Sequence, residues 1–307
     1  MPASRHPTTE NYAFETLVEG VWFGRARPEG TALSNTGIID LGDSTLVFDT
    51  SLTLRAARDT RQAARALTGR APSLIVNSHW HLDHVLGNQL FEDGTIHATR
   101  RTIEILLEKR EELLHEICRE RLEAEVRELE AQRATTGSEA GRARYDAVLR
   151  THRTLLEETL ERKLTAPTEG FARELTLPGD QPVRAVTFGA GHTESDAVLH
   201  LPRSGVLFAG DLIVLETHPN LTSGDPEHWL IVLDEIERLR PERIVTGHGP
   251  VGTVDALGTM RDYLETVLEL AREPAEPPIP ARFRAYTEPE MFAANVSYAR
   301  SRVGTPP

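Results

Sequence analysis

Four times along this chain a short apolar run stops and a metal-type side chain follows almost at once. The run SLIVN (residues 73–77) leads into SHWHLDH, which holds His79, His81, Asp83 and His84. VRAVTFGAGHT delivers His192, GVLFAGD delivers Asp211, and RIVTGHG delivers His248. Short apolar runs bounded by turn residues read as buried strands. A glycine just before each of the last three ligands permits a tight turn and close approach of the backbone. Open α/β folds place their sites at strand ends. The repeated context therefore predicts an α/β chain whose strand ends supply one polar site.

Within the densest segment, His79 and His81 are two residues apart, so an extended backbone points both rings to one face. Asp83 and His84 follow at what reads as a helix entry. The first pair can grip one ion while the second pair reaches a neighbouring one. Seven candidate ligands result: His79, His81, Asp83, His84, His192, Asp211 and His248. Neutral imidazole and carboxylate suit Zn²⁺, Fe and Mn²⁺.

The remaining organisation fits this frame. Leu17–Phe23 reads as one strand. Gly37–Leu41 and Thr45–Asp49 read as two more, with a hairpin turn at Gly42-Asp43. Leu54–Leu67 has helical spacing and ends at Gly69. From about 100 to 165 the chain turns rich in Glu, Arg and Leu. Ile103, Leu106, Leu107, Leu113, Leu114 and Ile117 recur at helical steps, then Leu122, Val126 and Leu129. TTGSEAG (135–141) breaks the pattern, with Ser138 as a helix cap. A second helix carries Tyr145, Val148, Leu149, Leu155, Leu156 and Leu160. The stretch is predicted to be an α-helical hairpin inserted between two α/β halves. Its charges fit a solvated face; a contact between two copies of the chain and a lid over the site are the other readings. Strands are expected again at Val183–Phe188, Ala197–Leu201, Val206–Ala209 and Arg243–Thr246. Helices are expected at Trp229–Leu239 and Val254–Leu270. A proline-rich connector (273–280) leads to a tail, about 273–307, with one helix over Glu288–Arg302. The whole, 1–307, reads as a single domain.

Composition excludes several classes. The net charge is −13, and no basic stretch lacks interleaved acids. Nucleic acid and anionic membrane are therefore not expected as partners. One cysteine, Cys118, excludes an internal disulfide and any cysteine-based zinc finger. No apolar signal region opens the chain and no run of 18 apolar residues occurs, so a cytoplasmic location is the expectation.

In order, HxHxDH, GHT, GD and GHG resemble the metallo-β-lactamase superfamily of metallohydrolases, as do SNTGIIDLGDSTLVFDT upstream and LPRSGVLFAGDLI. The resemblance covers nearly the whole chain apart from the helical insertion. It implies a four-layer αβ/βα sandwich with two divalent ions, zinc or else iron or manganese, at one edge of its β-layers. His79, His81 and His192 would hold the first ion. Asp83, His84 and His248 would hold the second, with Asp211 bridging. The implied activity is hydrolysis by a metal-bound hydroxide, with Asp83 orienting the nucleophile and helping to protonate the leaving group.

Fold alone does not give the substrate. The best-known β-lactamase subclass carries cysteine at the equivalent of Asp211, whereas esterase-type members carry aspartate. An ester, thioester or lactone of a small molecule is the leading expectation. A β-lactamase-like amide hydrolase, a phosphodiesterase or nuclease, and a non-catalytic metal scaffold whose hairpin binds a partner are the alternatives. The acidic charge disfavours the nuclease, and the intact ligand set disfavours the scaffold. Further candidates near the site are His218 in ETHPN, Asn88 in HVLGNQLF, and Thr193, Ser195 and Asp196 after the third histidine motif. His97, His115, His152, His200 and His228 carry no pattern and read as structural, and Cys118 as packing.

Overall fold

The computed structural model describes residue 7, residues 9–273 and residues 277–302. Part of the proline-rich connector (274–276), residues 1–6 of the opening segment and 303–307 of the tail lie outside the described residues. Chain contacts divide the molecule into two compact units, residues up to 170 and residues from 171 on. Each has its own apolar core.

The first unit opens with strands β1 (Tyr12–Val18), β2 (Val21–Ala26), β3 (Thr36–Asp40) and β4 (Thr45–Phe48), each antiparallel to the next. The run Leu17–Phe23, expected to be one strand, instead spans the β1–β2 turn. Gly20 there has a φ of 76°, a conformation glycine adopts without a Cβ clash. Apolar composition did not reveal a turn made by one glycine. The expected hairpin at Gly42-Asp43 joins β3 to β4.

Helix α1 (Leu54–Thr68) follows, capped by the Thr53 hydroxyl and ended at Gly69. Its buried face is mostly alanine, so the helix lies close to its neighbours. Strand β5 (Leu74–Val76) pairs parallel with β4, and β6 (Thr95–Thr99) pairs parallel with β5. The four-residue helix α2 (Leu82–Val85) lies between them.

The insertion is helical but more broken than its composition suggests. Its first arm consists of α3 (Arg100–Glu108), α4 (Arg110–Glu116) and α5 (Arg119–Thr135), and α6 (Glu139–Glu157) returns. Ser138 caps α6 through Gly141 N–H. No glycine or proline forces the breaks at Lys109 and at Ile117-Cys118. Packing does: Ile105, Leu106, Leu113, Ile117, Leu122, Leu155 and Leu164 are buried together with Leu52, Trp80, Val85 and Leu86. One straight helix would not present all of its apolar side chains to that cluster. The insertion therefore seats on the segment carrying the first four candidate ligands. Leu160, expected on the apolar face of α6, is 89% exposed beyond the helix end. Glu158 fixes this end: its carboxylate accepts from Leu54 N–H and Arg55 N–H at 2.9 Å each, capping α1.

A short strand, β7 (Glu169–Phe171), ends the first sheet's order β1-β2-β3-β4-β5-β6-β7. The second sheet has the order β12-β11-β10-β9-β8. It comprises β8 (Glu174–Leu177), β9 (Val183–Gly189), β10 (Asp196–Leu201), β11 (Val206–Phe208) and β12 (Arg243–Val245). Only β11 and β12 pair in parallel; the other neighbours are antiparallel. Strands β7 and β8 went unread in the sequence because they are short and largely exposed, without an apolar run. Helix α7 (Pro226–Arg238) starts at an Asp225 cap with proline in its first turn. It buries Trp229, Val232, Leu233 and Ile236 against α8 (Val254–Leu270) in the second unit's core. Helix α9 (Glu290–Arg302) adds Phe292, Val296 and Ala299 to the same core. No helix among the described residues is long and apolar enough to cross a membrane.

Candidate metal centre

In the first unit the chain leaves β5 at Val76 and bends through 78–81 into α2. The bends, rather than an extended backbone, bring the imidazoles together. Ring centroids of His79 and His81 are 4.7 Å apart, and those of His79 and His84 are 4.2 Å apart. His79 and His84 are fully buried. Asp83 Oδ2 lies 3.2 Å from His84 Nε2. Ligand atoms of His79 and His81 lie within 4.8 Å of one another, as do those of Asp83 and His84.

What fixes these rings is a buried carboxylate the ligand pattern did not name. Asp49 follows β4 directly, with a φ of 60°. Its Oδ1 accepts from Ser78 N–H at 2.7 Å, and its Oδ2 from the Ser78 hydroxyl at 2.8 Å. Oδ2 also lies 2.8 Å from His84 Nδ1. Ser78 Oγ is in turn 2.9 Å from His79 Nδ1. With Nδ1 held on both rings, Nε2 is the atom each presents as a ligand, a common arrangement in metal sites. Burial raises the Asp49 carboxyl above its ordinary range, opposed by His84 and the Ser78 donors. The signal was there to read, since Asp49 stands at a strand end just as Asp211 does.

Asn88 is fully buried and bonds to the Asn77 side chain, the Thr50 hydroxyl and the Thr165 carbonyl. Asn77 and Thr50 both donate to the His84 carbonyl, at 3.0 and 3.1 Å. Asn88 thus braces the backbone of the ligand segment. The Ser34 hydroxyl donates to the Asp83 carbonyl.

In the second unit, strands β9, β11 and β12 each end shortly before a ligand. His192 Nε2 lies 3.4 Å from Asp211 Oδ2, and His248 Nε2 lies 3.3 Å from the same oxygen. One carboxylate oxygen is shared by two imidazoles. The glycines have a steric reason. A Cβ on Gly247 would sit 1.9 Å from Asp211 Oδ1, and one on Gly191 would sit 2.5 Å from a Leu212 methyl. Gly247→Ala is therefore expected to displace the Asp211 carboxylate. A cost of about 1–3 kcal/mol in stability and a tenfold or greater loss of metal affinity are expected, read by chemical unfolding and by competition with a chelating dye. Unchanged affinity would refute the steric argument.

Asp196 ties the turn after His192. Its carboxylate accepts from Thr193 N–H at 3.0 Å and the Thr193 hydroxyl at 2.8 Å, and Ser195 N–H donates to Thr193 Oγ1. Those bonds organise the turn that carries the imidazole. Burial, more than the nearby Asp211 charge, raises the Asp196 carboxyl from 3.8 to about 7. Between those values the folded chain keeps a proton that the unfolded chain has lost. Stability of the metal-free protein is thus expected to fall as pH rises through that window, by up to about 1.4 kcal/mol per pH unit. Urea unfolding across the window should show this slope, and Asp196→Asn should flatten it.

His218, a sequence candidate, is 2% exposed and sits among the rings of Tyr263, Tyr286 and Phe292. Its Nδ1 is 2.9 Å from Tyr263 Oη, and burial lowers its pKa. It is a core residue of the second unit.

The description of the metallo-β-lactamase superfamily matches residues 30–248 of this chain. A metallo-β-lactamase from Pontibacter korlensis superposes with a TM-score of 0.60 at 16% identity, covering 83% of this chain and 99% of its own. The DIM-1 metallo-β-lactamase gives 0.60 at 17%, covering 83% and 98%. The FIM-1 enzyme from Pseudomonas aeruginosa, in a mono-zinc form, gives 0.58 at 16%, covering 85% and 98%. These likenesses establish the α/β metallo-β-lactamase sandwich fold. No curated protein sequence matches the chain. The family match and the two His/Asp clusters support a metal-dependent hydrolase.

Proposed function

The chain belongs to the metallo-β-lactamase superfamily, and from that premise we propose that it is a dinuclear hydrolase of an ester, thioester or lactone. The observation that carries this reading is Asp211, whose Oδ2 is shared by His192 and His248 at 3.4 and 3.3 Å. A carboxylate so placed suits a bridge between two cations. The donor set fits divalent ions: imidazoles, with Nδ1 of His79 and of His84 held by Ser78 and Asp49, plus carboxylates. His79, His81 and His192 would hold one ion, Asp83, His84 and His248 the other, and Asp211 both. Zinc is the first choice for such ligands; iron and manganese also suit them.

The chemistry such ions would supply when bound is a lowering of the pKa of bound water towards about 7 and polarisation of a carbonyl oxygen. The chain's own residues do the rest. Asp83 is partly exposed, with its carboxylate held beside His84. It can accept a proton from the attacking water and deliver it to the departing alkoxide or thiolate. Asp49, Ser78 and Asn88 keep the imidazoles and their backbone fixed while that proton moves. The net charge of −13 keeps polyanionic substrates such as nucleic acid from the surface.

The test is a panel of lactones, thioesters, phosphodiesters and β-lactams on metal-loaded protein, with and without chelator. Chelator-sensitive turnover of lactone, thioester or ester is expected. Turnover of β-lactams alone would replace this reading with the amide hydrolase, and turnover of phosphodiesters alone with a phosphodiesterase. No turnover by metal-loaded protein would favour the scaffold.

A further inference from the structure

We propose that the cleft between α1 and α6 binds a phosphorylated, hydroxyl-rich small molecule of the sugar-phosphate class, with Arg150 as its principal anion donor. The site lies within the first unit, uses none of the proposed metal ligands and does not depend on the hydrolase reading.

Along α6, Asp146, Arg150, Arg153, Thr154 and Glu157 recur at three- and four-residue steps and so share one helix face. Spacing alone would let Asp146 pair with Arg150 one turn on. Instead Arg133 of α5 donates to Asp146 at 3.0 Å, and Arg55 of α1 pairs with Glu157 at 3.0 Å. Arg153 pairs with Glu130 of α5 at 2.7 Å. Glu29 lies within reach of the Arg150 charge but accepts from Arg27 at 2.6 Å. These carboxylates are committed to other arginines. Among the described residues, Arg150 Nη1 is shut off from solvent and meets no hydrogen-bond acceptor. A guanidinium is always charged and offers donors alone. Burying one of its nitrogens without an acceptor is costly, and an anion relieves that cost.

Arg150 lines an open cleft of about 420 Å³ together with Arg55, Asp146, Arg153, Thr154 and Glu157. Small-molecule sites span about 300–1,000 Å³. At about 30 Å³ per water molecule, the cleft has room for far more than a single phosphate. The Arg55–Glu157 and Arg153–Glu130 pairs are solvent-exposed and contribute little, so both guanidiniums can turn to a ligand. Arginine forks match phosphate oxygens two at a time, which favours phosphate over a lone carboxylate. Among the described residues no aromatic side chain lines the cleft, so it offers no stacking platform for a nucleobase. The carboxylates of Asp146 and Glu157 and the Thr154 hydroxyl can accept from hydroxyl groups, which fits a polyol rather than an apolar tail. The lining comes from both α1 and α6, so an occupant ties the returning helix of the insertion to the body of the unit.

The test is calorimetric titration of glucose 6-phosphate, inorganic phosphate and glucose into the metal-loaded full chain, as wild type, Arg150→Gln and Arg150→Lys. Far-ultraviolet circular dichroism with a thermal scan checks the fold of both variants. Any phosphate binding at the metal centre is common to all three proteins. Glucose 6-phosphate is expected to bind wild type at least tenfold more tightly than Arg150→Gln, with Arg150→Lys between them. It is also expected to bind wild type more tightly than inorganic phosphate does, and glucose is expected to bind all three proteins alike. Hydrogen exchange with glucose 6-phosphate bound is expected to slow in the first turns of α1 and along 146–157. Equal affinity in wild type and Arg150→Gln, no binding to wild type, or slowed exchange confined to residues 78–84 overturns the proposal. Inorganic phosphate bound as tightly as glucose 6-phosphate overturns the sugar-phosphate class and assigns the cleft to free phosphate.

Discussion

Replacing Asp211 with asparagine is expected to abolish hydrolysis while leaving the fold intact. Asparagine matches aspartate in shape, so the turn after β11 and the contact with Gly247 are preserved. What goes is the negative charge on the oxygen shared by His192 and His248. An amide oxygen is a weak bridge between two cations. Removing a partner that merely orients a ligand costs about 10–100-fold in affinity or activity, and an anionic ligand should cost more. Hydrolysis is expected to fall by at least about a thousandfold, about 4 kcal/mol in barrier height. Bound metal is expected to fall with it. The metal-free variant has a distinct signature. The Asp211 charge adds to the upward push on Asp196, so its removal relieves a like-charge contact. Stability of metal-free Asp211→Asn at neutral pH is expected to equal or exceed that of wild type. A destabilised variant would mean that Asp211 serves the fold, and unchanged hydrolysis would mean that it does not serve the chemistry.

Asp49 is the position with the second largest expected effect, and there structure and site fail together. Its two oxygens take three contacts, from Ser78 N–H, the Ser78 hydroxyl and His84 Nδ1, all in a fully buried environment. Asp49→Ala strands those donors. Each buried donor left without an acceptor costs about 1–3 kcal/mol, so a loss of several kcal/mol is expected in urea unfolding. Alanine also fits poorly at a φ of 60°. Asp49→Asn separates the two effects, since asparagine tolerates that backbone region. It still offers one oxygen to Ser78 but turns a donor towards His84, forcing the other imidazole tautomer. Metal affinity is expected to drop about 10–100-fold in Asp49→Asn with most of the stability kept. Equal metal affinity in wild type and Asp49→Asn would show that the carboxylate does not govern the His84 ring.

Much of this was legible in the sequence, for physical reasons that differ from case to case. Strands β9 to β12 and helices α1, α7 and α8 announce themselves because burial on both faces or on one stripe demands apolar runs or helical spacing. The recurrence of strand, glycine and ligand was readable because Gly191 and Gly247 have no room for a Cβ. The breaks in the insertion were not readable. Lys109 and Ile117-Cys118 stand in good helix-forming sequence, and only the shared cluster with Trp80, Val85 and Leu86 bends the chain there. The β1–β2 turn was missed because valine, tryptophan and phenylalanine on one side of Gly20 and leucine and valine on the other read as one apolar stretch. Asp49 was passed over as a ligand-holding residue because its partners, Ser78 and His84, lie 29 and 35 residues away. His218 looked like a loop residue because its aromatic neighbours Tyr263, Tyr286 and Phe292 come from α8 and the tail.

The most direct measurement is the metal content of the purified chain after reconstitution and exhaustive dialysis, by mass spectrometry of the elements, with thioester hydrolysis followed on the same samples. About two divalent ions per chain are expected, with hydrolysis appearing as they bind and disappearing on chelation. A folded chain that retains no metal, or that hydrolyses its substrate equally well without any, would refute the dinuclear centre.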